Sequence, residues 1–140
     1  MPTRYEASTT IDASPPRVWA LLADASTYPE WNTGVLNLDG EIALGNKISL
    51  TAAVSPKRAF KLKVAELDAP RRMVWSSGMP FGLFKGARTF TVEPNGDGVE
   101  FKTVEEFTGP LAGMIGKKIP DLTDSFRQWC VDLKAAAEAG

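Results

Sequence analysis

Residues 11–32, IDASPPRVWALLADASTYPEWN, constrain the fold more than any other part of the chain. They place a strand end, a proline-started helix and a second short helix ending in an aromatic cluster in one stretch. The Ser14 hydroxyl can accept from a free amide of the first helical turn. Pro15 stands where its missing N–H costs nothing. Arg17, not Glu, follows Ser14 by three, so there is no capping box. Val18, Leu21 and Leu22 form one helical face, widened by Trp19. Asp24 to Ser26 break the helix, and Thr27 to Trp31 make another short turn. Such an opening, followed only by strands and a last helical region, predicts a curved sheet gripping a helix around a hollow.

From Val35 the period shifts toward two, the mark of strands. Val35 to Leu44 forms a strand interrupted near Asp39-Gly40. Gly45-Asn46 turns into Lys47 to Val54, and Ser55-Pro56 ends that run. Phe60, Leu62 and Val64 alternate with Lys61, Lys63 and Ala65 as a half-buried strand. Ala69-Pro70 turns into Arg72 to Ser77. Gly78 to Gly86, GMPFGLFKG, is a loop carrying two phenylalanines. Ala87 to Glu93 and Val99 to Thr108 are strands joined by the turn Pro94-Asn95-Gly96-Asp97-Gly98. Beyond them Leu111, Ile115, Ile119, Leu122, Phe126, Trp129 and Leu133 recur every three or four residues as one apolar stripe. Pro120 interrupts it because its ring clashes with the carbonyl four residues back. A short helix from about Leu111 to Lys118 and a main helix from near Pro120 to about Glu138 follow; at ~1.5 Å per residue the latter is roughly 28 Å long. Consecutive strands with short turns mean an antiparallel sheet and an α+β class.

At 140 residues the chain has the length of one domain, 1–140. Sixteen basic and seventeen acidic residues leave a net charge of −1, which gives nucleic acid or an anionic membrane little to attract. Lys57, Arg58, Lys61 and Lys63 form a solvated strand face. One cysteine, Cys130, precludes an internal disulfide, and its helical setting makes it a small core residue. No segment reaches the roughly 18 apolar residues of a membrane span, and the N-terminus lacks the apolar run of a secretory signal. A cytoplasmic protein without an integral membrane segment is expected. The complete absence of histidine excludes histidine triads, bases and metal sites. No metal and no cofactor is expected.

By alternation the inner face of the sheet carries Phe60, Leu62, Val64, Met73, Trp75, Phe90, Val92, Phe101 and Phe107. Ile119, Leu122, Phe126 and Trp129 face them from the helix. These residues either pack as a core or line a hollow. Phe81 and Phe84, on a loop with glycine hinges, either cover a ligand entrance or tuck into the core. Glycines 78, 82 and 86 do not make a phosphate-binding pattern. Arg88 is in phase with Phe90, and Glu105 with Phe101 and Phe107. A charge facing inward is costly unless paired or wet, so the two meet, touch water or ligand, or one is turned outward by a bulge. The candidate lining is Trp31, Phe60, Leu62, Met73, Trp75, Phe81, Phe84, Arg88, Phe90, Phe101, Glu105, Leu122, Phe126 and Trp129. Glu105 and Arg88 are the only catalytic candidates, as a base with its pKa raised by burial and as a carbonyl-polarising group.

IDASPPRVWALLADASTYPEWN, RRMVWSSGMPFGLFKGARTFTVEP and VEFKTVEEFTGPLAG together resemble the START/birch-pollen-allergen (SRPBCC) superfamily, within it the polyketide cyclase/dehydrase-like group. The resemblance spans nearly the whole chain and marks helix starts, turns and aromatic lining. It implies a helix-grip fold: a curved seven-stranded antiparallel sheet around a long C-terminal helix, with two short helices after the first strand. It also implies an internal cavity for a lipid-, sterol- or polyketide-like molecule. Catalytic relatives that use histidine differ from this chain. Binding or carriage of a small hydrophobic molecule is therefore the first expectation. A polyketide cyclase or dehydratase, and an interaction or chaperone-like module using Phe81 and Phe84, are the alternatives.

Overall fold

Alternating side chains give each strand one face that must leave water, and the last helix carries the stripe that covers it. In the computed structural model, which describes residues 3–117 and 121–139, the chain runs β1 (Thr3–Ile11), α1 (Pro15–Ala23), a 3-10 turn (Ala25–Thr27) and α2 (Tyr28–Trp31). It continues through β2 (Val35–Asp39), β3 (Lys47–Ala52), β4 (Ala59–Asp68), β5 (Arg72–Gly78), β6 (Lys85–Asn95) and β7 (Gly98–Thr108). Two helices close it, α3 (Ala112–Gly116) and α4 (Thr123–Ala139). The strands form one sheet in the order β1-β7-β6-β5-β4-β3-β2, every neighbouring pair antiparallel. This is the expected helix-grip arrangement.

Directly paired residues share a face. Met73 opposite Phe90, Trp75 opposite Arg88, and Val92 opposite Phe101 therefore line the side turned toward α4. From α4, Phe126, Trp129, Cys130 and Leu133 are buried against it. Val18, Trp19 and Leu22 of α1 complete the core at one end. Ser14 caps α1 by accepting from the Arg17 amide at 3.4 Å. Asp24 caps the 3-10 turn, its Oδ1 accepting from the Ser26 amide at 3.1 Å. Lys57, Arg58, Lys61 and Lys63 are exposed.

Several boundaries differ from the periodicity. β2 ends at Asp39 rather than Leu44, because Gly40 takes φ 106° and turns the chain; Ile42 folds back into the core while Leu44 is left 65% exposed. β3 stops at Ala52, two residues before Val54, and β6 starts at Lys85, before Ala87. A bulge between Val64 and Glu66 shifts the phase of β4 and brings Leu67 opposite Met73. α3 is shorter than the Leu111–Lys118 expectation. α4 is described from Thr123, whose amide donates to Asp121 Oδ1 at 2.9 Å; Lys118, Ile119 and Pro120 lie outside the described residues.

Among the described residues α4 is fastened unequally by polar contacts. Its second half is held by Thr33, whose amide and hydroxyl both donate to Asp132 Oδ2 at 2.8 Å. Lys134 Nζ donates to the Thr10 carbonyl at 2.9 Å, and Glu138 accepts from the Asp12 amide at 2.8 Å. Arg17 Nη2 donates to the Ala136 carbonyl at 3.0 Å, satisfying an orphan group of the last turn. The first half meets β1 through ring contact, Phe126 against Tyr5 at 6.3 Å.

Candidate ligand-binding site

Trp129 sits at the centre of an aromatic nest between the sheet and α4. Its ring centroid lies 5.6 Å from Tyr28, 6.2 Å from Trp31, 6.3 Å from Trp75 and 5.6 Å from Phe90. Tyr28 is wholly buried because the short α2 turns it inward; its hydroxyl donates to the Leu22 carbonyl at 2.5 Å, tying α2 to the end of α1. Burial raises the pKa of that phenol far above its ordinary value.

Arg88 enters this nest from β6. It is 8% exposed, and its guanidinium carbon stands 4.0 Å from the Trp129 centroid, 4.1 Å from Phe126 and 4.9 Å from Phe90. Its Nε donates to Thr103 Oγ1 at 3.0 Å, which fixes the plane of the group. Burial pulls its pKa down to about 10, with the Glu105 charge acting in the opposite sense, so it stays charged at neutral pH. Glu105 is its direct partner across β6 and β7 and is half-buried, yet the two side chains form no ion pair. Burial raises the Glu105 pKa and Arg88 lowers it, burial being the larger cause. Cys130 is buried on α4, and burial pushes its thiol up to about 11.

Among the described residues five buried polar side-chain atoms find no partner: Nε1 of Trp31, Trp75 and Trp129, Nδ2 of Asn32 and Nη2 of Arg88. All five are donors.

The candidate lining divides into three groups. Trp31, Trp75, Arg88, Phe90, Phe126 and Trp129 come together in the nest. Met73 and Phe101 are buried beside it, Leu62 and Leu122 are half-buried at its margin, and Glu105 faces Arg88. Phe60 does not join; it is 37% exposed and rests beside Arg58. The two loop phenylalanines part company. Phe84 stacks on Phe107 at 5.6 Å, whereas Phe81 is 99% exposed with φ 63°. Tyr28 and Thr103 belong to the site by contact and were absent from the candidate lining. Thr103 shares the alternation of Phe101 and Glu105, the signal that could have found it. Tyr28 leaves only a weak one, an aromatic beside a proline in a short turn.

The expected hollow is occupied by rings in mutual contact. Two clefts among the described residues lie elsewhere: one of about 300 Å³ beside Asp12, Asp97 and Lys134, and one of about 470 Å³ beside Arg71, Thr91 and Glu93. At the end of the sheet where β7 leads into α3, however, several large apolar side chains stand in solvent. The β5–β6 loop exposes Met79, Phe81 and Leu83, and α3 exposes Met114. The Leu111 amide donates to the Leu83 carbonyl at 2.9 Å, joining the two segments into one rim. The first turn of α4 lies at this same end, since Phe126 touches Tyr5, which pairs with Glu105.

A family model described as polyketide cyclase / dehydrase and lipid transport matches residues 2–138. No curated protein matches the chain. Among solved structures, a hypothetical protein of Helicobacter pylori is similar with a TM-score of 0.76 at 15% identity, over 96% of this chain and 88% of that one. Norcoclaurine synthase of Thalictrum flavum, a point mutant in complex with a transition-state analogue, gives 0.74 at 16% identity over 99% and 96%. Ara h 8.0201 gives 0.63 at 11% identity over the whole of both chains. At such identities the likeness carries the fold alone. Among the described residues no helix is long and apolar enough to cross a membrane, and no three histidine, cysteine or carboxylate side chains gather as a metal site would require.

Proposed function

The chain belongs to the polyketide cyclase / dehydrase and lipid transport family, and from that premise we propose that it binds or carries a small hydrophobic molecule between its sheet and α4. The observation that carries this reading is the rim. Met79, Phe81, Leu83 and Met114 stand exposed at the end where α4 begins, while the clamps on α4 lie at its other end. Exposed apolar groups gathered at one place mark a contact site for apolar matter. Behind the rim the aromatic nest offers ring faces to a guest once Trp129 and Phe126 move with the helix. Part of the cost of parting those rings is offset by new ring contacts with the guest.

The test is direct. N-phenyl-1-naphthylamine, a neutral dye that brightens in apolar surroundings, should bind saturably at one molecule per chain. Organic extraction of the natively purified protein, followed by mass spectrometry, should release an apolar compound. A protein that extracts clean and leaves the dye dark overturns the reading.

A second reading is favoured by one observation, the half-buried Glu105 with its raised pKa opposite Arg88. In a cyclase or dehydratase Glu105 would move the proton and Arg88 would polarise the carbonyl. Glu105→Gln should then abolish turnover of a polyketide-like substrate while leaving its affinity intact. Turnover that survives the substitution removes the assignment.

A further inference from the structure

Resting on the interior site proposed above, we infer that its guest is an acid: a small apolar molecule whose carboxylate, or equivalent oxyanion, is received by Arg88 among the tryptophan N–H groups. The polar demand of the interior runs in one direction. Among the described residues every buried side-chain atom left without a partner is a donor, and three of these five are indole nitrogens of the nest. An orphaned buried donor gives up its hydration with nothing in return. Chance burial of mixed polar groups would strand acceptors as well.

Arg88 gives that demand a charge. Its Nε is taken by Thr103, and its guanidinium carbon stands close to the rings of Trp129 and Phe126. Among the described residues Nη2 remains unpartnered, and no carboxylate forms an ion pair with it. A guanidinium held in plane, with a free edge, matches the flat, two-oxygen shape of a carboxylate. The surrounding aromatic rings then hold the rest of such a molecule. A neutral hydrocarbon would leave every one of these donors unmet. Water could satisfy them without any preference for an acid, and the experiment separates that case.

The full-length protein is titrated at pH 8 with 2-naphthoate and, separately, with 2-ethylnaphthalene, which has the same rings without the acid. One added charge-assisted hydrogen bond predicts roughly tenfold tighter binding of the naphthoate. In the same titration of ¹⁵N-labelled protein, the indole N–H signals of Trp75 and Trp129 should move with naphthoate and much less with ethylnaphthalene. Arg88→Met should remove the preference of the site for naphthoate over ethylnaphthalene. Should that variant fail to fold, the indole shifts in the native protein still decide. Equal affinities, indole signals indifferent to the acid, or a preference that survives Arg88→Met overturn the inference while leaving the interior site in place. If neither compound binds, the interior site itself falls, and the inference with it.

Discussion

Arg88→Met tests whether Arg88 is held for a guest or serves as core cement. Burial moves the guanidinium from an ordinary 12.5 to about 10. At ~1.4 kcal/mol per pH unit, holding it charged inside the protein costs roughly 3 kcal/mol. Opposing terms come from the rings of Trp129, Phe126 and Phe90, at 4.0, 4.1 and 4.9 Å from the guanidinium carbon. Together these supply about 2 kcal/mol, and the Thr103 hydrogen bond about 1 kcal/mol more. The gains and the cost nearly cancel. Methionine keeps the apolar stem, fills most of the same space and makes favourable sulfur contacts with rings. The substituted protein should therefore unfold in urea within about 1 kcal/mol of the original, with a Tm changed by no more than ~4 °C. A loss above about 3 kcal/mol, the size expected when a buried charge network is broken, would refute this reasoning and make Arg88 a structural residue.

Other substitutions probe the surroundings. Glu105 holds its proton more tightly when folded, because burial raises its pKa. That contributes stability below its unfolded value of 4.5 which is lost as pH rises through the folded value. Glu105→Gln should accordingly raise the Tm at pH 7 and change it little at acid pH; thermal melts across pH would show this, and a lower Tm at pH 7 would contradict it. Phe81 holds φ 63° while fully in solvent. Phe81→Gly should stabilise the protein by about 1 kcal/mol in denaturant melts and weaken uptake of the naphthylamine dye. At Gly98 a Cβ would run into the Ile11 carbonyl oxygen, so Gly98→Ala should cost roughly 2 kcal/mol or more on the same assay.

The architecture was legible because its two signals are local. Alternation in Phe60–Val64 and Val99–Phe107 marks strands, and Ser14-Pro15 marks a helix start, whatever happens elsewhere in the chain. What escaped depends on distant neighbours. Ile42 and Leu44 look like a continuing strand until Gly40 turns the chain to meet Lys47, near whose carbonyl a Cβ would lie at 2.9 Å. The bulge after Val64 is a matter of register with β5, which no single strand encodes. Phase placed Arg88 and Glu105 on one face and left open whether they meet, and the register makes them direct partners across β6 and β7. Phase could not say that the guanidinium would turn to Trp129 instead of the carboxylate. Nor can alternation weigh ring volume, so a face that promises a hollow can be filled by Trp75, Phe90 and Trp129.

Among the described residues the polar clamps on α4 gather in its second half, so a tilt of the helix would turn about a fulcrum near Lys134. Thr123 lies about 16 Å from that point along the axis. A tilt of about 10° would carry Thr123 about 3 Å from the sheet and Leu133 hardly at all, given the same rise per residue. Such a wedge would grade its guests by thickness: flat, single-layer molecules could slide in edgewise from the rim with every clamp intact, and bulkier ones would first have to tear Asp132 from Thr33.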